Sequence, residues 1–162
     1  MVFQKAKLQH LVAASLIIYL TLHLLEEWIG GFPAWAETYW HIPNYTVAKW
    51  LLHNVYFAAA LGAGYLIYRS NPETRLPFGL GIVVWGGMNS LSHIVCSFIF
   101  ASISPGIWSG LAFLVIAVLV WQRLTASDRF TWRLAGLSLL LGLVYWTLPI
   151  VSFITVDRAL GF

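Results

Sequence analysis

Three ionisable residues interrupt an apolar run that otherwise has the composition of a membrane-spanning helix. His23, Glu26 and Glu27 lie in the segment IIYLTLHLLEEWIGGFP, which covers residues 17–33. At about 100° per residue, Glu26 and Glu27 fall on either side of His23, so both carboxylates flank the imidazole. An uncompensated charge at the centre of a membrane helix costs about 2.5–3.5 kcal/mol, so such residues face partners or a wet cavity. The three side chains are therefore candidates for a buried chemical site.

Composition places these residues in a bilayer. Hydrophobic residues make up 60% of the 162-residue chain and charged residues only 9%, and the mean hydropathy is +0.79. Such a chain has too little polar surface for a water-soluble domain, which indicates an integral membrane protein. In that setting the formal net charge of +3 is better explained by membrane topology than by nucleic-acid binding. The single cysteine, Cys96, excludes an internal disulfide and a CxxC metal motif.

Five apolar stretches have lengths near the ~20 helical residues that cross a bilayer. Gly, Pro, Ser and Asn residues separate most of them, as is typical of turns between helices. The sequence thus predicts an all-α, polytopic membrane helix bundle that forms a single domain over residues 1–162. The predicted spans are Leu8–Ile29, Thr46–Tyr68, Phe78–Ser102, Gly106–Leu124 and Trp132–Thr155.

The basic residues predict the orientation of the bundle. If five spans alternate, seven of the nine Lys and Arg residues lie on one face, and only Lys49 and Arg158 lie on the other. Basic residues concentrate on the cytoplasmic face of membrane proteins, so we predict the N-terminus inside and the C-terminus outside. The seven residues are Lys5, Lys7, Arg69, Arg75, Arg123, Arg129 and Arg133.

Polar residues of the first three spans converge at overlapping depths in this arrangement. With a rise of 1.5 Å per residue, His23 and His53 each lie about 9 Å below the outer boundary, and His93 lies about 14 Å below it. Asn89 shares the helix face of His93 because it is four residues away. The alternative is a set of separate structural roles, in which the glutamates extend to the headgroups and the other residues only bond to neighbouring helices. We favour a single site in the outer half of the membrane.

Two further patterns suggest how the site is enclosed. Gly79, Gly86 and Ser90 form a stripe of small residues in the third span, and such stripes allow helices to approach closely. Aromatic residues are concentrated at the outer ends of the spans, where an interfacial belt is the default interpretation of residues such as Trp50. The segment of residues 30–45 lacks a long apolar run, and we predict that it covers the pocket as an amphipathic or re-entrant segment.

An ordered set of motifs resembles the HXXEE family of small bacterial and archaeal membrane proteins. The set comprises HLLEE at residues 23–27, GFPAW at 31–35, HN at 53–54 and NSLSHIVCSFIFASISPGIWSG at 89–110. The resemblance covers about residues 20–110. It implies a helical membrane fold in which His23, Glu26 and Glu27 are the named motif residues. It implies no particular reaction, and it leads us to expect a protein of the prokaryotic plasma membrane.

The residue types at the shared depth favour a zinc site. Imidazole and carboxylate groups are ligands that zinc prefers, and a further carboxylate can act as base toward a bound water. Which glutamate is the ligand and which is the base stays open at this point. A ferritin-like di-iron centre would need more carboxylates than this region offers. The predicted zinc ligands are His23, Glu27, His53 and His93, the catalytic candidates are Glu26 and Glu27, and Asn54 and Asn89 are predicted to orient the ligands.

Three classes of function fit this set of residues. The leading hypothesis is an intramembrane metal-dependent enzyme, a hydrolase that acts on a lipid or another hydrophobic small molecule from the outer leaflet. A second is a metal-free isomerase or cyclase, in which Glu26 and Glu27 share a proton and act on an isoprenoid-like substrate. A third is a non-catalytic carrier or binding module for a metal ion, a proton or a lipid. The sequence leaves open whether the protein is a monomer or a homo-oligomer.

The orientation can be tested with single cysteines in a variant that lacks Cys96. We expect Thr38→Cys to react with a membrane-impermeant maleimide added outside, because residue 38 follows the first span. Ala126→Cys should react only after the membrane is permeabilised, because residue 126 follows the fourth span. The reverse labelling pattern would contradict the predicted orientation.

Overall fold

Residues 2–160 form six helices. The computed structural model describes residues 2–160, with the side chains of residues 8–159, and no strand occurs within that part. The side chains of Lys5 and Lys7, which contribute to the predicted orientation, and residues 1, 161 and 162 of the predicted domain lie outside it. Helix α1 is α-helical over Val2–Ile18, takes a π-helical turn at Tyr19–His23 and continues as an α-helix over Leu24–Ile29. The others are α2 (Phe32–Trp40), α3 (Val47–Ser70), α4 (Leu76–Ile99), α5 (Ile107–Ala126) and α6 (Trp132–Leu160).

Five of these helices are long and apolar enough to cross a membrane, which confirms the predicted bundle of five spans. Local sequence explains where they begin and end. Thr46 caps α3 by accepting a hydrogen bond from the Lys49 N–H at 3.3 Å. Pro77 lies in the first turn of α4, where its missing N–H leaves no hydrogen bond unmade. The third span ends at Ile99 and not at Ser102, because Ala101 adopts a positive φ of 47° and turns the chain.

Helix α4 is the centre of the bundle and packs against α3, α5 and α6. The predicted stripe of small residues lies on its buried surface. Gly79 is in contact with the Tyr68 ring, and Gly86 is in contact with Phe113. Ser90 is fully buried. Their small size lets neighbouring helices approach α4 closely, which confirms the packing role expected of the stripe.

An apolar cluster covers the end of the bundle at which α1 ends and α3 begins. The short helix α2 contributes buried residues to it, and the connection to α3 and the far end of α6 complete it. The buried members are Phe32, Trp35, Ala36, Tyr45, Trp50 and Phe153. The segment predicted to cover the pocket thus folds as a helix whose apolar side faces the protein interior.

An ion pair joins the two helix ends on this side of the bundle. The Lys49 ammonium near the start of α3 lies 3.0 Å from the Asp157 carboxylate near the end of α6. The Lys49 side chain is 10% exposed, so its charge is held by a specific partner inside the protein. The contact places the beginning of α3 and the end of α6 on one face, as an alternating five-span topology requires.

The packing of α4 gives a matched pair of substitutions. A Cβ atom at Gly86 would lie 3.1 Å from the Phe113 ring, whereas a Cβ atom at the adjacent Gly87 would have no atom within 4 Å. We expect Gly86→Leu to destabilise the bundle by about 1–3 kcal/mol because it overpacks a filled contact. Gly87→Leu should leave stability nearly unchanged. Unfolding in mixed detergent micelles, followed by circular dichroism, compares the two, and equal stability would show that Gly86 is not a packing contact.

Candidate metal centre

The site begins at the π-helical turn of α1. There the Leu24 N–H reaches the Tyr19 carbonyl, five residues back in the chain. In a regular α-helix, two residues that are four apart point about 40° away from each other around the helix axis. A π-helical turn contains more residues per turn, so it reduces this angle. Tyr19, His23 and Glu27, spaced by four, are all buried on the inner side of α1. Such turns are frequent at functional sites, and this one aligns two of the motif residues with a tyrosine.

Three predicted ligands come together inside the bundle. His23 Nε2 lies 3.5 Å from Glu27 Oε1, and His93 Nε2 from α4 lies 3.6 Å from the same oxygen. One ligand atom from each residue lies within 4.8 Å of the others, and within residues 2–160 no other group of three such residues was found. All three side chains are nearly inaccessible, with exposures of 1%, 6% and 3% for His23, Glu27 and His93. The other Glu27 oxygen accepts a hydrogen bond from Trp50 Nε1–H at 2.8 Å.

Two serines from the connection before α5 and from its first turn hold the histidine rings. Ser109 Oγ lies 2.8 Å from His23 Nδ1, and Ser104 Oγ lies 2.9 Å from His93 Nδ1. Each ring therefore has its Nδ1 bonded to a serine and its Nε2 directed toward Glu27. This is how metal-binding histidines are normally oriented in proteins, with one nitrogen held by a hydrogen bond and the other available to the metal.

Gly106 lies between the two rings. Its φ of 101° is available to glycine and strained for other residues. A Cβ atom on it would lie 2.7 Å from His93 Cε1 and 2.8 Å from His23 Cε1. The Ser-Pro-Gly turn therefore needs glycine at residue 106 both for its backbone and for the approach of the imidazoles.

Glu26 caps α5 and does not face Glu27. Its two carboxylate oxygens accept hydrogen bonds from the backbone N–H groups of Trp108 and Ser109, at 2.9 and 2.8 Å. The Ile107 N–H bonds to the Ser104 carbonyl of the preceding turn, and the Gly110 N–H makes the first regular helical bond, to the Gly106 carbonyl. The N–H groups of Ile107, Trp108 and Ser109, which a helix start leaves free, are thus satisfied, with a carboxylate at the positive end of the helix dipole.

The same carboxylate fixes the proton positions at His23. Ser109 Oγ–H donates to Glu26 Oε2 at 2.6 Å, and that bond uses its only proton. His23 Nδ1 then carries the proton that it shares with Ser109, so a neutral His23 ring has its lone pair on Nε2. This lone pair and the Glu27 carboxylate are both acceptors. Two buried acceptors 3.5 Å apart are stabilised by a cation placed between them.

The structure separates the remaining candidates from this cluster. His53 is outside the group that could share one ion, and its Nδ1 is bonded to the Tyr45 hydroxyl at 3.0 Å. His53 and Asn89 instead line a cavity of about 90 Å³ that also borders the cluster. The sequence predicts for His53 a depth similar to that of His23, and depth alone does not give its lateral position.

Asn54 has a role that differs from the predicted one. Its Oδ1 accepts from the Tyr19 hydroxyl at 2.7 Å, and its Nδ2 donates to the Trp50 carbonyl at 2.9 Å. It contacts none of the ligands directly. It positions the tyrosine beside His23, whose ring centroid lies 6.0 Å from that of Tyr19.

Sequence reasoning missed Ser104, Ser109 and Trp50. The two serines lie on either side of Pro105-Gly106, within the segment of residues 89–110. The sequence did contain a signal for them, since both are polar residues beside a turn that follows the span of His93. Trp50 was assigned to an interfacial belt, yet it is 3% exposed and bonds to Glu27. No feature of the sequence distinguishes such a tryptophan from its neighbours at the membrane interface.

The fold and the site define a polytopic helical membrane protein with a buried two-histidine, one-glutamate centre. The HXXEE family, described as protein of unknown function with HXXEE motif, matches residues 14–122. The chain therefore belongs to this family, as its motifs indicated. The match covers α5 almost to its end and leaves α6 outside. Comparison with curated proteins and with solved structures found no match.

The turn at Gly106 gives a sharp test of the site. Gly106→Ala should weaken metal binding by more than tenfold, because the new methyl group displaces both imidazoles. Gly31→Ala is the matched control, since Gly31 also has a positive φ, of 70°, but has no atom within 4 Å of an added Cβ. Both substitutions carry a backbone cost of about 1–2 kcal/mol, so only the contact with the histidines differs. Equal metal affinities, measured by competition with a chromogenic chelator, would place the turn outside the site.

Proposed function

We propose that this protein is an intramembrane metal-dependent hydrolase, with zinc held by His23, Glu27 and His93, that acts on a hydrophobic substrate. The observation that carries the proposal is the buried convergence of two Nε2 atoms on one carboxylate oxygen. Separations of 3.5 and 3.6 Å are long for hydrogen bonds, which are typically 2.7–3.2 Å. They are close to the ~3.3 Å expected between two tetrahedral ligands of a zinc ion with ligand distances of ~2.0–2.1 Å.

The ligand set favours zinc and hydrolysis. Two histidines and one glutamate, with the fourth position left for water, form one of the standard catalytic zinc arrangements, whereas structural zinc sites have four protein ligands. Bound in this way, zinc would supply Lewis acidity and would lower the pKa of a bound water to about 7. The cavity of about 90 Å³ beside the cluster offers space for that position and for a reacting group.

The protein groups around the cluster orient it and keep it dry. Ser109, held by Glu26, sets the tautomer of His23, and Trp50 fixes the second oxygen of Glu27. Phe32 from α2 lies against His93, with ring centroids 5.9 Å apart, and Phe113 from α5 lies 5.6 Å from His23. These aromatic rings exclude bulk water and strengthen the electrostatic interactions of the enclosed groups.

The surroundings support a lipid or another membrane-dissolved molecule as substrate. An open groove of about 650 Å³ runs along the outside of α1 and α5, and apolar side chains such as Leu25 and Ile103 form much of its lining. The lining also includes Ser104 and Ser109, the serines that bond to the histidine rings. A hydrophobic molecule in the bilayer can thus come within one side chain of the centre without passing through water.

The paired-glutamate isomerase is less well supported by this geometry. Glu27 faces His23, His93 and Trp50, whereas Glu26 is bonded to the start of α5. The two carboxylates have separate partners, so a proton shared between them is not favoured. A carrier or binding module would use the same three ligands, so metal binding alone does not distinguish it from an enzyme. Metal analysis therefore comes first, and an assay for hydrolysis follows.

Metal analysis of the detergent-purified protein is the first test. We expect about one zinc ion per chain, and we expect His23→Ala and His93→Ala each to lower the affinity by more than the ~10- to 100-fold typical of lost orienting contacts. His10→Ala is the control, because His10 is exposed and lies on α1 far from the cluster. Plasma emission spectrometry and chelator competition provide the measurements.

Three other outcomes would contradict parts of the proposal. Absence of metal after purification without chelators, even when zinc is added back, would eliminate the metal centre. Stoichiometric iron in place of zinc would indicate the two-histidine, one-carboxylate iron site of oxygenases. Zinc binding without hydrolysis of any ester or amide lipid in a substrate panel would favour the binding module.

A further inference from the structure

His53 is held in one orientation from three sides. The Tyr45 hydroxyl bonds to its Nδ1 at 3.0 Å, and Phe153 of α6 stacks on its ring at a centroid distance of 4.8 Å and an interplanar angle of 20°. Phe57, one turn further along α3, lies 5.0 Å away. A buried imidazole needs hydrogen-bond partners, and Tyr45 supplies one for Nδ1. The partner of Nε2 is the open question.

The Tyr45 contact determines which nitrogen of His53 carries the proton. Burial, reinforced by the negative charge of Glu27, raises the pKa of Tyr45, so its hydroxyl keeps its proton. A buried hydroxyl proton needs an acceptor, and His53 Nδ1 is the hydrogen-bond partner of the Tyr45 hydroxyl among the described residues, so Tyr45 donates and Nδ1 accepts. The ring proton of neutral His53 then lies on Nε2. This N–H donor is buried and has no protein acceptor.

Two more unsatisfied groups belong to residues of the same cavity. Trp85 is 1% exposed, and its Nε1–H has no acceptor among the described residues. In the same part of the chain, Asn89 Oδ1 is a buried acceptor without a donor. Both residues line the cavity of about 90 Å³ together with His53 and the three proposed metal ligands. Leaving a buried polar group unpaired is unfavourable, so two donors and one acceptor beside one cavity indicate a polar ligand.

We propose that this cavity binds the amide group of the substrate. His53 and Trp85 donate hydrogen bonds to the amide oxygen, and Asn89 accepts a hydrogen bond from the amide N–H. The inference rests on the proposed hydrolase function and narrows it to amide bonds in hydrophobic molecules. An amide group offers both an acceptor and a donor, whereas an ester offers acceptors alone. A cavity of about 90 Å³ admits the amide and a few atoms, and an attached acyl chain stays outside.

The reaction that follows is ordinary amide hydrolysis. The C–N bond breaks, water adds a hydroxyl group to the carbonyl carbon and a proton to the nitrogen, and the products are a carboxylic acid and an amine. No oxidant or further reactant is required. In this assignment His53 and Trp85 contact the substrate, and Tyr45 is a positioning residue that acts through His53.

The test uses two small probes of nearly the same shape, N-methylacetamide and methyl acetate. The full chain, labelled with ¹⁵N in its histidine and tryptophan rings, is titrated in nanodiscs and followed by NMR, with Trp85→Phe and His53→Phe identifying the two signals. We expect N-methylacetamide to shift both N–H signals saturably and to bind at least fivefold more tightly than methyl acetate. Asn89→Leu should remove that preference for the amide, and Tyr45→Phe should weaken amide binding although His53 is still present.

Controls separate this proposal from the metal centre. His53→Phe keeps an aromatic ring on Phe153, so it should retain the fold and zinc affinity within about threefold while losing amide binding. His41→Phe alters an exposed loop histidine and should change neither. The titration is made in metal-free and in zinc-loaded protein, so it reports on the cavity even where zinc does not bind.

Several results would overturn the assignment. Loss of zinc binding in His53→Phe as large as in His23→Ala would make His53 a metal ligand. Equal binding of the ester and the amide would remove the specificity assigned to Asn89. Binding of tetramethylammonium without a response to the amide would identify the aromatic lining as a cation site. Zinc binding with no probe response would refute the amide subsite and leave the metal centre standing.

Discussion

The site depends on the contact between the Glu26 carboxylate and the first turn of α5. This contact satisfies two backbone N–H groups that a helix start would otherwise leave unpaired in an apolar environment. It also orients the Ser109 hydroxyl, and Ser109 in turn determines the tautomer of His23. The Glu26 carboxylate therefore joins α1 to α5 and, through Ser109, orients His23, one of the proposed metal ligands. Its negative charge is balanced by the helix dipole, so it needs no metal of its own.

The position of α5 then determines the second histidine. The turn that precedes α5 carries Ser104, which bonds to His93, and Gly106, which leaves room for both rings. The Ser104 N–H is bonded to Ser97 Oγ, so the turn is attached to α4 as well as to α1. A short segment that is itself irregular thus links three spans. Irregular backbone is acceptable at such a place because the protein encloses it and satisfies its polar groups.

Three features could be predicted from the sequence because each depends on helical spacing and bilayer thickness. They are the span lengths, the small-residue surface of α4 and the grouping of His23, Glu27 and His93. Those quantities give depth and angle around one helix. They do not give the lateral arrangement of helices, and His53 was therefore assigned to the cluster although it lies across the cavity. The roles of Ser104, Ser109 and Trp50 depend on contacts between segments distant in sequence. The π-helical turn at Tyr19–His23 also has no evident marker in the sequence.

The geometry also explains why the motif has two adjacent glutamates. Neighbouring residues on a helix differ by about 100°, so one α1 turn can direct Glu27 into the bundle and Glu26 toward α5. Had both faced the cavity, two carboxylates would repel each other, and one would take up a proton and lose value as a ligand. Directed apart, the two carboxylates have different partners: the N-terminus of α5 for Glu26, and Trp50 with the proposed metal ion for Glu27. The spacing of histidine and paired glutamates therefore places two of the three proposed ligands, and the carboxylate that supports them, in five residues of one helix.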